Sequence, residues 1–186
     1  MEDARYLTGQ LLLATPGMSD PRFARAVIAV CAHDADGALG VGIGALVAGL
    51  GFHDLLDQFE IDPGGSDNAP VHFGGPVEPR RGFVLHSLDW SGQDTVDVAG
   101  LWGLTSTIDV LRAIADGTGP GRWLVALGYA GWGKGQLDAE LAGPGWLNVP
   151  ATATLIFDPS PAARWEAGLA AAGVDPRLLV GGAGRA

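Results

Sequence analysis

Pro70-Val71-His72-Phe73-Gly74-Gly75-Pro76-Val77-Glu78-Pro79-Arg80-Arg81-Gly82-Phe83-Val84-Leu85-His86 is the stretch on which the fold turns. Residues 71–73 and 83–86 are short apolar runs of strand character, and each carries a histidine. Gly74, Gly75, Pro76 and Pro79 fill the link between them. Glycine reaches backbone angles closed to other residues, and proline fixes φ and removes an amide donor. The expected unit is a hairpin with a rigid corner, which either holds a ligand or turns the chain.

Upstream of it, residues 7–14 read as a strand ended by Thr15-Pro16-Gly17. Asp20 before Pro21 is a helix-start signal good for about one turn, through Phe23 and Arg25. Residues 26–32 are an apolar, β-branched strand, and 33–37 (HDADG) are turn chemistry. Residues 38–47 alternate glycine with Leu39, Val41, Ile43 and Ala45, a strand with one glycine face where something packs closely. Phe52, Leu55, Leu56 and Phe59 fall at helical spacing. Residues 62–69 form a polar loop.

Downstream, 95–98 reads as a strand that 101–104 continues. Ser106-Thr107-Ile108-Asp109 resembles a capping box before a helix buried through Ile108, Leu111, Ile114 and Ala115, and Gly117 to Pro120 stop it. Residues 123–127 are a strand, 128–135 a glycine-rich turn, 136–141 a short helix, and 149–157 contain another strand. Ser160-Pro161 opens a last helix that buries Trp165 and Leu169 and ends at Gly173. Asp175-Pro176 begins one more turn, and residues 181–186 form a fraying tail. Most of the links are too short for crossover helices, so the class is α+β with a mostly antiparallel or mixed sheet in one domain spanning 1–186.

The totals exclude several functions. The 186 residues carry a net charge of −10, which opposes direct nucleic-acid binding because phosphate contacts need clustered cations. Cys31 is the sole cysteine, no secretory leader is legible in residues 1–10, and no apolar run is long enough to span a membrane. A cytoplasmic protein without membrane contact is expected.

Two nucleotide-site patterns are deceptive. Gly40-Val41-Gly42-Ile43-Gly44-Ala45 fits G-x-G-x-x-A, but its glycines alternate within a strand instead of opening a helix. Gly128 to Lys134 fits G-x-x-x-x-G-K, but Gly135 replaces the hydroxyl that would hold Mg²⁺. Leu155-Ile156-Phe157-Asp158 looks like a second metal-holding motif, yet too little chain follows Lys134 for the parallel sheet such an enzyme needs. What survives is a looser anion site at 131–135. His33, His72, His86, Asp34 and Asp36 lack metal-ligand spacing, so neither a metal nor a cofactor is expected. Thr15, Ser87 and Cys31 are candidate nucleophiles, Asp138 and Glu140 candidate acid–base groups, and Trp132 and Trp146 flank the short helix that bears them.

Four segments together resemble the AlgH/YqgE family of small bacterial proteins, over nearly the whole chain. They are Leu11-Leu12-Leu13-Ala14-Thr15-Pro16-Gly17-Met18 with Asp20, Pro21 and Phe23; His33 with Gly37-Ala38-Leu39-Gly40; Phe73-Gly74-Gly75-Pro76-Val77 with Gly82-Phe83-Val84-Leu85-His86; and Leu127-Gly128-Tyr129-Ala130-Gly131-Trp132 with Gly135-Gln136-Leu137, Glu140-Leu141 and Trp146-Leu147. The resemblance implies a branched or barrel-like sheet surrounded by helices, and no settled activity. Relatives carry the label of transcriptional regulator. The family pattern has an Asn, a basic residue and Pro where this chain has Gly44, Ala45 and Leu46, and it does not include Lys134.

The leading expectation is a non-enzymatic protein whose one cleft binds a small molecule or a protein. Its residues would be Thr15, Pro16, Asp20, His33, Gly74, Gly75, Pro76, His86, Gly131, Trp132, Gln136 and Glu140. The rivals are a hydrolase or transferase using Thr15 or His86 with Glu140, and a transcriptional regulator.

Overall fold

One strand, Trp123–Trp132, is the spine of the molecule, because three other strands hydrogen-bond to it. The computed structural model describes residues 6–16 and 18–175. Gly17, the helical turn read at Asp175-Pro176 and the tail 181–186 therefore fall wholly or partly outside the described residues. In chain order the elements are β1 (Gln10–Ala14), a 3₁₀ turn (Pro21–Phe23), β2 (Val27–Asp34), β3 (Gly37–Gly42), β4 (Leu46–Gly51) and α1 (Phe52–Gln58). Then come β5 (Pro70–Phe73), β6 (Val77–His86), β7 (Val96–Val98), β8 (Trp102–Thr105), α2 (Ile108–Asp116) and β9 (Trp123–Trp132). The described residues close with α3 (Gln136–Leu141), β10 (Trp146–Pro150), α4 (Ala153–Phe157), a second 3₁₀ turn (Pro161–Ala163) and α5 (Arg164–Ala171).

The ten strands among the described residues run β10-β1-β2-β3-β9-β6-β8-β7, with β4 and β5 branching off β9. Every pairing is antiparallel except β5 with β9, where Val71, His72 and Phe73 face Val125, Ala126 and Leu127. The sheet is mixed, curled into a half-barrel and branched, in an α+β fold. Residues 71–73 and 83–86 are not a hairpin. They lie against opposite edges of β9: Val125 pairs with Val71 on one side and with Val84 on the other.

The link at 74–76 must therefore cross over β9, and glycines make the crossing possible. A Cβ on Gly74 would lie 2.1 Å from the Gly128 carbonyl oxygen, and one on Gly128 would lie 2.3 Å from that of Gly75. Gly128 also has φ +79°, which L side chains rarely adopt. The glycine face read in 38–47 meets this crossing, since a Cβ on Gly42 would lie 2.5 Å from the Phe73 carbonyl oxygen. Three amides tie the crossing: Gly42 to Gly74 O at 2.7 Å, Gly74 to Leu127 O at 2.8 Å, and Phe73 to Ala45 O at 2.9 Å. That last bond explains why 38–47 is not one strand. The chain leaves β3 at Gly42 and re-enters the sheet as β4 on a new partner, β5.

A buried arginine braces the same place. Arg164 Nε donates to Ile156 O at 2.8 Å, and Nη1 donates to Ile43 O at 2.7 Å and to His72 Nε2 at 2.8 Å. The Nδ1–H of His72 donates to Val125 O at 3.1 Å, so the ring is neutral with a fixed tautomer. Burial, followed by the Arg164 charge, lowers the His72 pKa to about 4. Burial also lowers Arg164 to about 10, which leaves it a cation at neutral pH.

Both faces of the sheet are covered, so strands read as continuous apolar runs instead of alternating ones. Leu11 and Leu13 join Trp102, Ile156, Trp165 and Leu169 in one buried cluster, while Leu12 joins Ile28, Val30, Trp132 and Leu137 in another. Under α1 and α2, Val71, Val84 and Val125 meet Phe52, Leu56, Val110 and Ile114. Phe52 and Leu56 are fully buried, each worth about 1.5–3 kcal/mol. Phe59, read as part of that stripe, is instead 50% exposed.

Several local readings are corrected. Residues 128–132 are strand, held by β3 at Ala130, Gly131 and Trp132, so only 133–135 turn. Residues 153–157 are helix, because Thr152 accepts the Leu155 amide at 3.1 Å and starts it; the strand there is β10, earlier in the chain. Residues 102–105 do not prolong β7 but fold back on it through Ala99 and Gly100, both at positive φ. His33 and Asp34 belong to β2, not to the turn. The cap of α2 is Thr107, whose side chain donates to Asp94 and Asp109 instead of accepting an amide. Val110, not Ile108 or Leu111, is the buried residue of its first turns.

Candidate functional site

Beside the crossing, where β9 passes into α3, lies a cleft of about 470 Å³. Its wall comes from the 3₁₀ turn (Asp20, Arg22, Phe23), from Pro76 and Val77, and from Gly131, Trp132, Gln136, Glu140 and Trp146. Each segment has a local reason to be there. Asp20 caps the turn by accepting the Arg22 amide at 3.0 Å, and its carboxylate also holds the Arg22 guanidinium at 2.7 Å. That pairing keeps Asp20 below the usual carboxylate range. Phe23 packs edge-on against Trp146 with ring centroids 5.7 Å apart.

A closed polar ring fixes the other wall. Trp132 Nε1–H donates to Glu140 Oε2 at 2.8 Å, Gln136 Nε2–H donates to Glu140 Oε1 at 3.1 Å, and the Gly133 amide donates to Gln136 Oε1 at 2.9 Å. The ring sets the Gln136 amide unambiguously and orients both carboxylate oxygens. Each oxygen retains acceptor capacity for one more donor. The Gly133 amide is taken by Gln136 Oε1, and residues 128–132 are strand, not turn.

Of the residues the sequence singles out, Asp20, Pro76, Gly131, Trp132, Gln136 and Glu140 meet at this cleft. Thr15 is adjacent, with its hydroxyl donating to Pro144 O and its amide to Gly145 O, beside Pro16 at the end of β1. Gly74 and Gly75 instead line a small recess of about 40 Å³ that shares Arg22 and Phe23 with the cleft. His33 is on the other flank of α3. Its Nδ1 accepts the Leu7 amide at 3.0 Å and its Nε2 lies 3.7 Å from Asp138 Oδ1.

His86 does not belong to this region. It pairs with Trp123 at the opposite end of β9 from Trp132, about 30 Å along a ten-residue strand. It is fully buried, donating through Nδ1 to Ser87 O at 2.9 Å and accepting at Nε2 from Thr105 Oγ1 at 2.8 Å. A His86–Glu140 pair is therefore excluded by distance. Cys31 is buried, and that burial, against a smaller opposing effect of the Trp102 indole, pushes its thiol up to about 12, far from a working thiolate. Among the described residues, no three His, Cys, Asp or Glu side chains gather as metal ligands.

Sequence reasoning missed Arg22, Val77 and the Gly143–Gly145 rim; the 3₁₀ turn that delivers Arg22 was legible, its direction was not. It also missed Arg164, whose signal is a lone cation between Ala163 and Trp165.

A branched ten-stranded α+β half-barrel, with an aromatic cleft where its central strand enters a short helix, is the class these features define. The AlgH-like family model matches residues 11–177, and the chain belongs to that family. A UPF0301 protein of Rhizorhabdus wittichii is 58% identical over 186 residues, covering 100% of both chains. One from Novosphingobium aromaticivorans is 50% identical with the same coverage. The solution structure of the AlgH protein from Pseudomonas aeruginosa matches at TM-score 0.80 and 40% identity, over 100% of this chain and 99% of that one. A Corynebacterium diphtheriae crystal structure at TM-score 0.70 and 20% identity, covering 90% and 87%, shares the fold. No helix among the described residues is long and apolar enough to cross a membrane.

Proposed function

We propose that this chain is a non-enzymatic, cytoplasmic binding protein, and that its cleft takes a small molecule or a partner's side chain bearing nitrogen donors. The observation that carries the reading is Glu140, a half-buried carboxylate held on both oxygens by Trp132 and Gln136 and walled by aromatic rings. Asp20 is already neutralised by Arg22, so Glu140 supplies the uncompensated charge of the cleft. An amine or guanidine would pair with it and lie against aromatic faces, a contact worth about 0.5–2 kcal/mol beyond the ion pair.

Tryptophan fluorescence titrated with agmatine, arginine amide and a short Lys/Arg peptide tests it. A saturating change in one of them, lost in Glu140→Gln, is expected. No saturable change with any of them, or a change that persists in Glu140→Gln, overturns it. Turnover of ester or phosphate substrates that disappears in Glu140→Gln would replace binding with catalysis, and retardation of DNA in a low-salt gel shift would favour the regulator.

A further inference from the structure

A second cleft, also about 470 Å³, opens between α1, α2 and β6, and no matched sequence motif led to it. Leu55 and Phe59 come from the α1 side, Ile108 and Leu111 from α2, and Gly82 and Val84 from β6. Two features of it are unexplained by the fold. Phe59 is half exposed at its edge, although burying a phenyl ring is worth about 1.5–3 kcal/mol. Arg80, in the same lining, has no acidic partner among the described residues, whereas its neighbour Arg81 reaches Glu78 at 3.5 Å. Arg80 is the one charged side chain in that lining.

Apart from the neutral Gln58, the other polar side chains of the lining are committed. Thr105 donates to His86 at 2.8 Å, and Ser106 and Thr107 donate to Asp94 at 2.8 and 2.7 Å. Charge selection is thus left to Arg80. Gly82 is what keeps the hollow open. A Cβ there would meet only Leu127 Cδ2, at 3.9 Å, so the backbone does not require glycine through crowding. This sets it apart from Gly74 and Gly128, where a Cβ would strike backbone.

We infer that this cleft binds an amphipathic monoanion, a medium-chain fatty carboxylate whose head meets Arg80 and whose alkyl body lies against Leu55, Phe59, Ile108 and Leu111. The site is independent of the Glu140 cleft. Hexanoate, octanoate and decanoate, each below its micelle concentration, are titrated into the full chain by calorimetry, with amide shifts of Ile108 and Leu111 followed by NMR. Affinity should climb about fourfold per added methylene until the hollow is full. Decyltrimethylammonium should bind about tenfold more weakly than decanoate, and Arg80→Glu should weaken decanoate about tenfold. Gly82→Phe should abolish binding while circular dichroism and melting stay near those of the parent.

Four results overturn the inference: no saturable decanoate binding, equal affinity for the anion and the cation, decanoate binding that survives Gly82→Phe, or a dimer in sedimentation that Gly82→Phe dissolves. The last would put a second copy of the chain in the hollow. If Gly82→Phe fails to fold, Gly82→Val supplies the same block with a smaller side chain.

Discussion

The glycine crossing and the Glu140 cleft lie side by side and draw on the same family segments, yet different forces hold them. At the crossing, Gly42, Gly74, Gly75 and Gly128 bring backbone against backbone with no room for a side chain. In the cleft, Asp20, Trp132, Gln136 and Glu140 hold their places by side-chain hydrogen bonds around a hollow. Steric need fully accounts for the first set. It does not account for the second, because a carboxylate tethered beside open volume contributes little to packing. The residues that packing leaves unexplained are the ones to read as functional.

The largest test of that division is at Gly128. Gly128→Val puts a β-branched residue at φ +79° and drives a Cβ to 2.3 Å from the Gly75 oxygen. Strain at such a residue costs about 1–3 kcal/mol before any clash is counted. We expect a loss of about 4 kcal/mol or more in urea unfolding, or no soluble protein. A loss under about 1 kcal/mol would mean that the crossing is not close-packed, and the comparison would fail.

Next is Arg164. Arg164→Ala leaves Ile43 O, Ile156 O and His72 Nε2 buried without their donor. Each orphaned group costs about 1–3 kcal/mol, so a total of about 3–5 kcal/mol is expected, with partial relaxation and water entry keeping it from the full sum. The drop should appear in chemical denaturation without any effect on ligand binding in the Glu140 cleft. A binding defect of equal size would show that crossing and cleft are one unit.

His72 gives the same node a pH signature. Its pKa falls from 6.5 in the unfolded chain to about 4 in the fold. The unfolded state therefore binds the extra proton first as pH drops. Stability from this group is whole above about pH 6.5, declines between 6.5 and 4, and is gone below; the difference corresponds to about 3 kcal/mol. Urea midpoints measured from pH 7 to pH 4 should fall accordingly, and His72→Gln should flatten that slope. An unchanged slope in the variant would remove His72 from the account.

How far the chain could be read follows the same line. The class was legible because short links between apolar runs forbid parallel pairing of neighbours, and that holds everywhere except β5 with β9, whose connection is long. The crossing was half legible: alternating glycines at 40, 42 and 44 announced close packing, but nothing local says what approaches. Hence residues 71–73 and 83–86 looked like partners, when each has β9 as its partner. The glycines at 128, 131 and 133 looked like one turn, because strand pairing with residues 38–40 and Val77 is a long-range fact. Residues 149–157 read as containing a strand, and their helical part was missed because Thr152 was not recognised as a cap. In the cleft, Gln136 and Glu140 were reached through the family segments, and His33 and His86 were not separable from them. A histidine among apolar residues reads the same whether it faces a hollow or a buried acceptor.

The smallest effect discriminates most finely. Glu140→Gln keeps the size of the side chain and one acceptor for Trp132 Nε1, so stability should change by less than about 1 kcal/mol. Trp132→Phe removes the indole donor from the same bond. If the bond serves only to orient the carboxylate, Trp132→Phe combined with Glu140→Ala, which does remove the acceptor, should cost less than their sum, with a coupling of about 0.5–1 kcal/mol in a double-mutant cycle. The pH slope assigned to His72 should be untouched in both. A coupling of several kcal/mol would instead make Glu140 a structural strut, and the cleft would then be held for the same reason as the crossing. A small coupling with ligand binding lost in Glu140→Gln leaves the carboxylate as a group retained for what it recognises.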